Sequence, residues 1–107
     1  MIYEVNLTIP YEIKAPYNKW LEDHIKEMCT IDGFLHVVIL KAEEDSSTHY
    51  KLCIQYHLQD RQTFTNYERE HAERMRGDGL KTWGSQIQAS RRLLRTYELT
   101  LERTSDT

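Results

Sequence analysis

The chain has 107 residues, of which 39% are hydrophobic and 29% are charged, with a net charge of −3 at pH 7. This length and composition predict one globular domain with a small core. The acidic balance argues against a general nucleic-acid binder, which needs clustered Lys and Arg to displace counterions, and no apolar run approaches the roughly 20 residues of a membrane helix.

The first third of the chain predicts a strand, a helix and a second strand. Residues 2–9 alternate between apolar and polar side chains, which indicates a half-buried strand. Pro16 suits the first turn of a helix, and the apolar residues after it recur at three- and four-residue steps up to Asp32-Gly33. Residues 34–41 are apolar at nearly every position, which predicts a strand covered on both faces.

The remaining elements begin with a hairpin. The polar run at 43–48 predicts its loop, and residues 50–58 alternate as a third strand. Asp60 is a candidate N-cap for a second helix, which the sequence RGDG at 76–79 is expected to end. A short connector follows at 80–84.

The last expected element is a long final strand over residues 86–102, so the single domain spans 1–102 and leaves a frayed tail at 103–107. The order β-α-β-β-α-β predicts an α+β fold, a ferredoxin-like sandwich with a four-stranded antiparallel sheet and two helices on one face. An internal repeat supports it. A shift of 47 positions superposes three pairs of helix residues, Trp20 on Tyr67, His24 on His71 and Met28 on Met75.

The hairpin also predicts which residues share a face of the sheet. Folding it about its loop gives three pairs that would face the helices, Leu35 with Tyr56, Val37 with Ile54 and Ile39 with Leu52. The opposite face would carry Phe34, His36, Val38 and Leu40 beside Lys51, Cys53, Gln55 and His57. Because that face is too apolar on its edge strand to remain in water, we expect a homodimer through the sheet face and the final strand.

Several short motifs occur in a characteristic order, WLEDHIKEM from Trp20, GF from Gly33, YKLCIQY from Tyr50, YEREHA from Tyr67, and LKTWG from Leu80 followed by Arg91. This pattern resembles a family of short bacterial proteins known as a domain of unknown function (number 4286), over roughly residues 1–97. The resemblance implies the dimeric α/β-barrel superfamily, whose relatives include cofactor-independent quinol monooxygenases and muconolactone isomerase-like proteins. It implies a fold and a dimer, and it carries no activity, because fold does not transfer function.

His24 and His71 are the first candidates for chemistry, since both are expected on helix faces that meet Tyr3 and Tyr56. An imidazole beside a phenol in a partly dry cleft can act as a general base or anchor a phenolic or quinone-like ligand. The structural alternative is that each imidazole lies at the helix–sheet edge and is satisfied by one partner. No metal site is expected, because the two histidines lie on different helices without a third ligand at recognisable spacing.

Trp83 and the arginines that follow it are the other candidates. Trp83 would either cover a ligand or close the open end between helix and sheet. One arginine of the final strand, with Arg91 as the candidate, could hold a carboxylate, and a surface or dimer-rim charge is the alternative. Cys29 and Cys53 form neither a metal spacing nor a disulfide framework, so both thiols are expected to be free in a reducing cytoplasm.

Three functions remain open at this point. The first is a homodimeric small-molecule-binding protein whose pocket, between helices and sheet, takes a small aromatic ligand. Its candidate residues are Tyr3, His24, Tyr56, His71, Trp83 and Arg91. The second is a non-catalytic dimer that regulates or scaffolds another protein, and the third is a cofactor-independent monooxygenase- or isomerase-like enzyme. No cofactor is expected, and the sequence leaves catalysis undecided.

Overall fold

The computed structural model describes residues 1–43 and 46–97. In chain order its elements are β1 (Ile2–Pro10), α1 (Lys14–Met28), β2 (Phe34–Lys41), β3 (His49–Leu58), α2 (Arg61–Glu70), α3 (Ala72–Trp83) and β4 (Gln88–Leu94). The strands form one antiparallel sheet in the order β2-β3-β1-β4. The predicted α+β class and the four-stranded antiparallel sheet are confirmed.

The helices pack on one face of this sheet. On one side of it, the hydroxyl of Tyr50 donates to Oδ1 of Asn18 in α1 over 2.7 Å. On the same side, the ring of Tyr3 contacts those of Phe64 and Tyr67 in α2, with centroids 5.1 and 5.5 Å apart. The core therefore lies in a single layer between the sheet and the helices.

The second helical region differs from the prediction. Helix α2 begins at the predicted N-cap, where a carboxylate oxygen of Asp60 accepts from the backbone N–H of Thr63 over 2.8 Å. The helix is interrupted at His71, and α3 then continues through RGDG and through the predicted connector. Both expectations were wrong, because glycine inside a helix costs only about 1 kcal/mol and the buried Ala72 and Met75 hold α3 on the core. The helix ends at Trp83 and is capped by Gly84, whose φ is +58°.

The hairpin register also differs from the prediction. Val37 lies opposite Tyr56, and Ile39 lies opposite Ile54, two positions from the predicted pairing. An irregularity between Phe34 and His36 reverses the alternation at the start of β2.

Phe34, predicted on the outer face, is buried and packs against Tyr56 with ring centroids 5.7 Å apart. Leu35, predicted to face the helices, is 62% exposed. His36 lies opposite His57 rather than Gln55, and the two imidazoles stack at 4.2 Å. Strand β2 is predicted to be covered on both faces. Within one chain it is instead the most exposed apolar strand of the described sheet, since more than a third of the surface of each of Val38, Ile39 and Leu40 is exposed.

The final strand is shorter in the described residues than predicted. Strand β4 covers Gln88–Leu94, and residues 95–97 have no regular structure. The remainder of the predicted strand, the end of the domain at 102 and the predicted tail at 103–107 lie outside the described residues.

Candidate functional site

A cavity of about 320 Å³ lies between the sheet and the helices. Residues of β1, β3 and β4 form its floor, including Val5, Ile54 and Ala89, and residues of α1 and α3 form its walls. Its volume is at the lower end of the roughly 300–1,000 Å³ typical of small-molecule sites. Among the cavities of the described chain, this is the one that brings the predicted residues together.

Five of the six predicted residues line this cavity, namely Tyr3, His24, Tyr56, Trp83 and Arg91. His71 does not line it. His71 lies at the junction of α2 and α3, beside a separate groove that also contains Glu27 and Arg74, and its Nε2 is 4.0 Å from Glu70 Oε2. The structure thus separates the two histidines that the internal repeat had paired.

The repeat is nevertheless visible in the apolar positions. Met28 and Met75 are both buried, with 2% and 1% of their surface exposed. Tyr67 is buried, and its counterpart Trp20 is partly buried against the same core. The matched spacing therefore reflects how the helices pack on the sheet, and it does not extend to a shared role for the histidines.

Aromatic rings form one side of the cavity. The imidazole of His24 stacks on the indole of Trp20 at 4.8 Å. Trp83 meets Tyr17 edge to face at 5.2 Å and Trp20 at 6.4 Å. Gly79 allows α3 to approach this cluster, since a Cβ there would lie 3.2 Å from Cη2 of Trp20. Trp83 is therefore part of the cavity wall at the end of α3, and it does not stand on a loop.

Burial determines the protonation of the groups in the cavity. It lowers the pKa of His24 below its ordinary value of 6.5, so the imidazole is neutral at pH 7. Burial also raises the pKa of Tyr17 to about 12 and raises the pKa values of Tyr56 and Tyr67 above the ordinary value of 10. These phenols keep their protons at physiological pH and remain available as hydrogen-bond donors.

Arg76 is a cavity residue that the sequence analysis did not identify. Its Nη2 donates to the hydroxyl of Tyr3 over 3.1 Å and to Oε1 of Glu68 over 2.8 Å. Because the sequence predicts that RGDG ends a helix, it places Arg76 at a helix end and not on a helix face. The recurrence of Ala72, Met75 and Arg76, Gly79 and Trp83 at helical spacing was the signal that could have placed it on the inner face of α3.

Two N–H groups of the cavity residues are buried without a hydrogen-bond partner in the described chain. They are Nε of Arg76 and Nε1 of Trp83. Buried donors are nearly always paired in native proteins, because an unpaired donor forfeits its bonds to water. Both atoms belong to residues that line the cavity, and an acceptor on a bound molecule would reach them only if neighbouring side chains shift.

In ranges 1–43 and 46–97, no three His, Cys, Asp or Glu side chains are grouped so as to hold a metal ion. Across the same ranges, no helix has the length and apolar character that crossing a membrane requires.

The model of the family described as Domain of unknown function (DUF4286) matches residues 1–97. The chain belongs to this family. No curated protein matches the chain. The matched range includes every strand and helix of the described fold and every residue that lines the cavity. The family predicted from the ordered motifs is confirmed.

Proposed function

We propose that this protein binds a small organic molecule in the cavity between its helices and its sheet. The observation that carries the proposal is the convergence of five chemically distinctive side chains on one cavity of about 320 Å³. Cavities of ligand size that combine apolar walls with a few polar groups are the usual form of small-molecule sites.

The size and lining of the cavity support a ligand rather than a packing defect. Native cores pack densely and leave few voids larger than a water molecule, whose share of liquid volume is about 30 Å³. The cavity is about ten times that volume, and exposed lining residues such as Leu80, 69% exposed, open it to solvent, so a molecule of ligand size has a way in. Here the walls include the indoles of Trp20 and Trp83 and the phenol of Tyr56, which would stack on or beside a flat ring.

We further propose that the fold is a ferredoxin-like sandwich and that two copies form a dimeric α/β barrel through the sheet face and the final strand. The strand order β2-β3-β1-β4 supports the sandwich, with α2 and α3 together in the place of its second helix. The exposed apolar side chains of β2 support the dimer, because an open apolar edge invites pairing. A bacterial origin and a cytoplasmic location belong to the same proposal, supported by the resemblance and by the free thiols of Cys29 and Cys53.

A direct test of the binding proposal is calorimetric titration with 1-naphthamide, a neutral two-ring probe, followed by a thermal unfolding scan. Binding to the folded state raises the unfolding midpoint, and about 2.7 kcal/mol is gained at a probe concentration 100 times Kd. Leu21→Trp, which adds a ring at a buried position of the cavity wall, should abolish the binding. Saturable binding that survives in this variant would place the probe elsewhere and contradict the proposal.

The exposed strand β2 favours a second candidate, a dimer that regulates or scaffolds another protein without binding a small molecule. Leu35, Ile39 and Leu40 are 62%, 51% and 47% exposed in one chain. If the protein is dimeric in solution and its cavity takes no probe, this second function is the better account.

A further inference from the structure

We infer that the ligand of this cavity carries a carboxylate group on an apolar, ring-containing body. The inference rests on the proposed function, since it names the chemical class of the molecule that the cavity would take. Three observations lead to it, namely the charge of the lining, its unpaired donors and its apolar walls.

The charge of the lining is positive. Among the described residues that line the cavity, Arg76 and Arg91 are the charged ones, and none is Asp or Glu. Arg76 forms an ion pair with Glu68, in which its Nη2 lies 2.8 Å from Oε1, so its charge is already partly neutralised. Arg91 forms no ion pair within the described chain, although it faces the same cavity from β4. An anionic group on the ligand would complement this charge, whereas a cationic group would meet two guanidinium groups and no carboxylate.

The unpaired groups of the lining are donors. Nε of Arg76 and Nε1 of Trp83 are buried and have no partner in the described chain. Neither atom can accept a hydrogen bond, so any group that pairs with them must be an acceptor. A carboxylate offers about four acceptor sites on two oxygens and no proton, and its bonds to arginine are among the strong ones.

The walls limit the charge and shape of the rest of the ligand. Most lining residues are aromatic or aliphatic, and the planar groups include Trp20, Trp83 and His24. A dianion such as a phosphate monoester would lose more hydration in these surroundings than one free arginine could replace. A single carboxylate on a flat apolar ring system matches both the polar and the apolar part of the lining.

The test compares two probes of nearly equal shape, 1-naphthoate and 1-naphthamide, by calorimetry on the full chain at low salt. We expect the naphthoate to bind at least about tenfold more tightly, since a hydrogen bond to a charged group is worth more than a factor of ten. Arg91→Gln should remove this preference. Arg95→Gln is the matched control, because Arg95 is an exposed arginine beyond β4 that does not line the cavity, and it should keep the preference.

A second measurement follows the indole N–H of Trp83 by ¹H–¹⁵N correlation spectroscopy, with the two indole signals assigned by Trp20→Phe. The naphthoate should move the Trp83 signal downfield, and the amide should move it less. Equal binding of the two probes, or equal losses in the Arg91 and Arg95 variants, would overturn the carboxylate inference and leave the binding proposal standing. If neither probe binds, the binding proposal fails as well.

Discussion

The imidazole of His24 lies nearly parallel to the indole of Trp20, with ring centroids 4.8 Å apart and an angle of 17° between their planes. The two residues are one turn apart on α1, and both line the cavity. Burial in this stack lowers the pKa of His24, so its neutral form is the one present at pH 7. The positive charge of the cavity therefore comes from its arginines.

The buried imidazole predicts a loss of stability in mild acid. Below pH 6.5, His24 becomes protonated in the unfolded chain, whereas in the folded chain its lowered pKa keeps it neutral to a lower pH. Through this group, the free energy of unfolding is therefore highest above pH 6.5 and decreases as the pH falls below it. His24→Phe keeps a flat ring against Trp20 and removes the proton. We expect urea denaturation at pH 7.5 and 5.5 to show a smaller pH difference for this variant than for the wild type.

Leu21→Ala is the control for that experiment, because Leu21 is a buried cavity residue of the same helix without a titratable group. It should lower stability by about 2–4 kcal/mol at both pH values. His57 also has a lowered pKa through burial, so the pH dependence should shrink without disappearing. An unchanged pH dependence in His24→Phe would contradict the assignment of a buried neutral imidazole.

Gly33 is predicted to be the glycine least tolerant of substitution among those of the described chain. Its φ is +88°, and a Cβ there would collide with the side chain of Thr63, lying 2.6 Å from Cγ2 and closer still to Oγ1. Gly33→Ala should therefore cost roughly 2–4 kcal/mol in chemical denaturation. Gly77, on the exposed side of α3, meets nothing within 4 Å, and Gly77→Ala should instead stabilise by about 0.5–1 kcal/mol. Similar effects of the two substitutions would refute the described packing of Gly33 on α2.

Regular elements could be predicted where one periodicity dominates the sequence. Strand β1 alternates cleanly, and its predicted start and end agree with the structure within a residue. Strand β2 is apolar at almost every position, so its pattern does not show which side chains face the helices and which face outward. The irregularity at Leu35 could not be predicted from it. For the same reason, the sequence pattern could not predict that Phe34 is buried and Leu35 exposed, or that His36 lies opposite His57.

The candidate site could be predicted in part for a similar reason. Tyr3 and Tyr56 follow from strand alternation, and His24 follows from the stripe of α1. The position of His71 depends on a break between two helices, which the continuous helical pattern conceals. Arg76 does not follow from the sequence because the two glycines of RGDG predict a helix end, whereas tertiary contacts of Met75 and Trp83 keep α3 intact.

The proposed dimer predicts that a charge on the outer face of β2 separates the two copies. Val38 is 36% exposed in one chain and would be buried between the sheets. We expect light scattering to give twice 12.8 kDa for the wild type at micromolar concentration. For Val38→Glu it should give a monomer, because the interface would bury an unpaired carboxylate. Gln62→Glu adds the same charge on the exposed side of α2 and should leave the dimer intact. A monomeric wild type would contradict the dimer.

The same sheet face contains an ion pair that should titrate in acid. Nε of Arg92 donates to Oε1 of the buried Glu4 over 2.7 Å, and this bond holds the pKa of Glu4 below its ordinary 4.5. The stability from this pair is present above 4.5 and is lost as the pH falls through the lowered pKa. Carboxyl ¹³C NMR should show the pKa of Glu4 rising in Arg92→Gln. If its titration is unchanged, the bond does not set the pKa.

The most direct test of the central claim uses the two tryptophans, since the sequence contains two and both line the cavity. We would follow their two indole N–H signals while titrating the wild-type protein with 1-naphthoate. Binding in the cavity predicts that both signals shift and saturate together, while the backbone amides at the outer edge of β2 stay in place. Saturation without movement of the indole signals, or shifts confined to β2, would contradict a ligand site between the helices and the sheet.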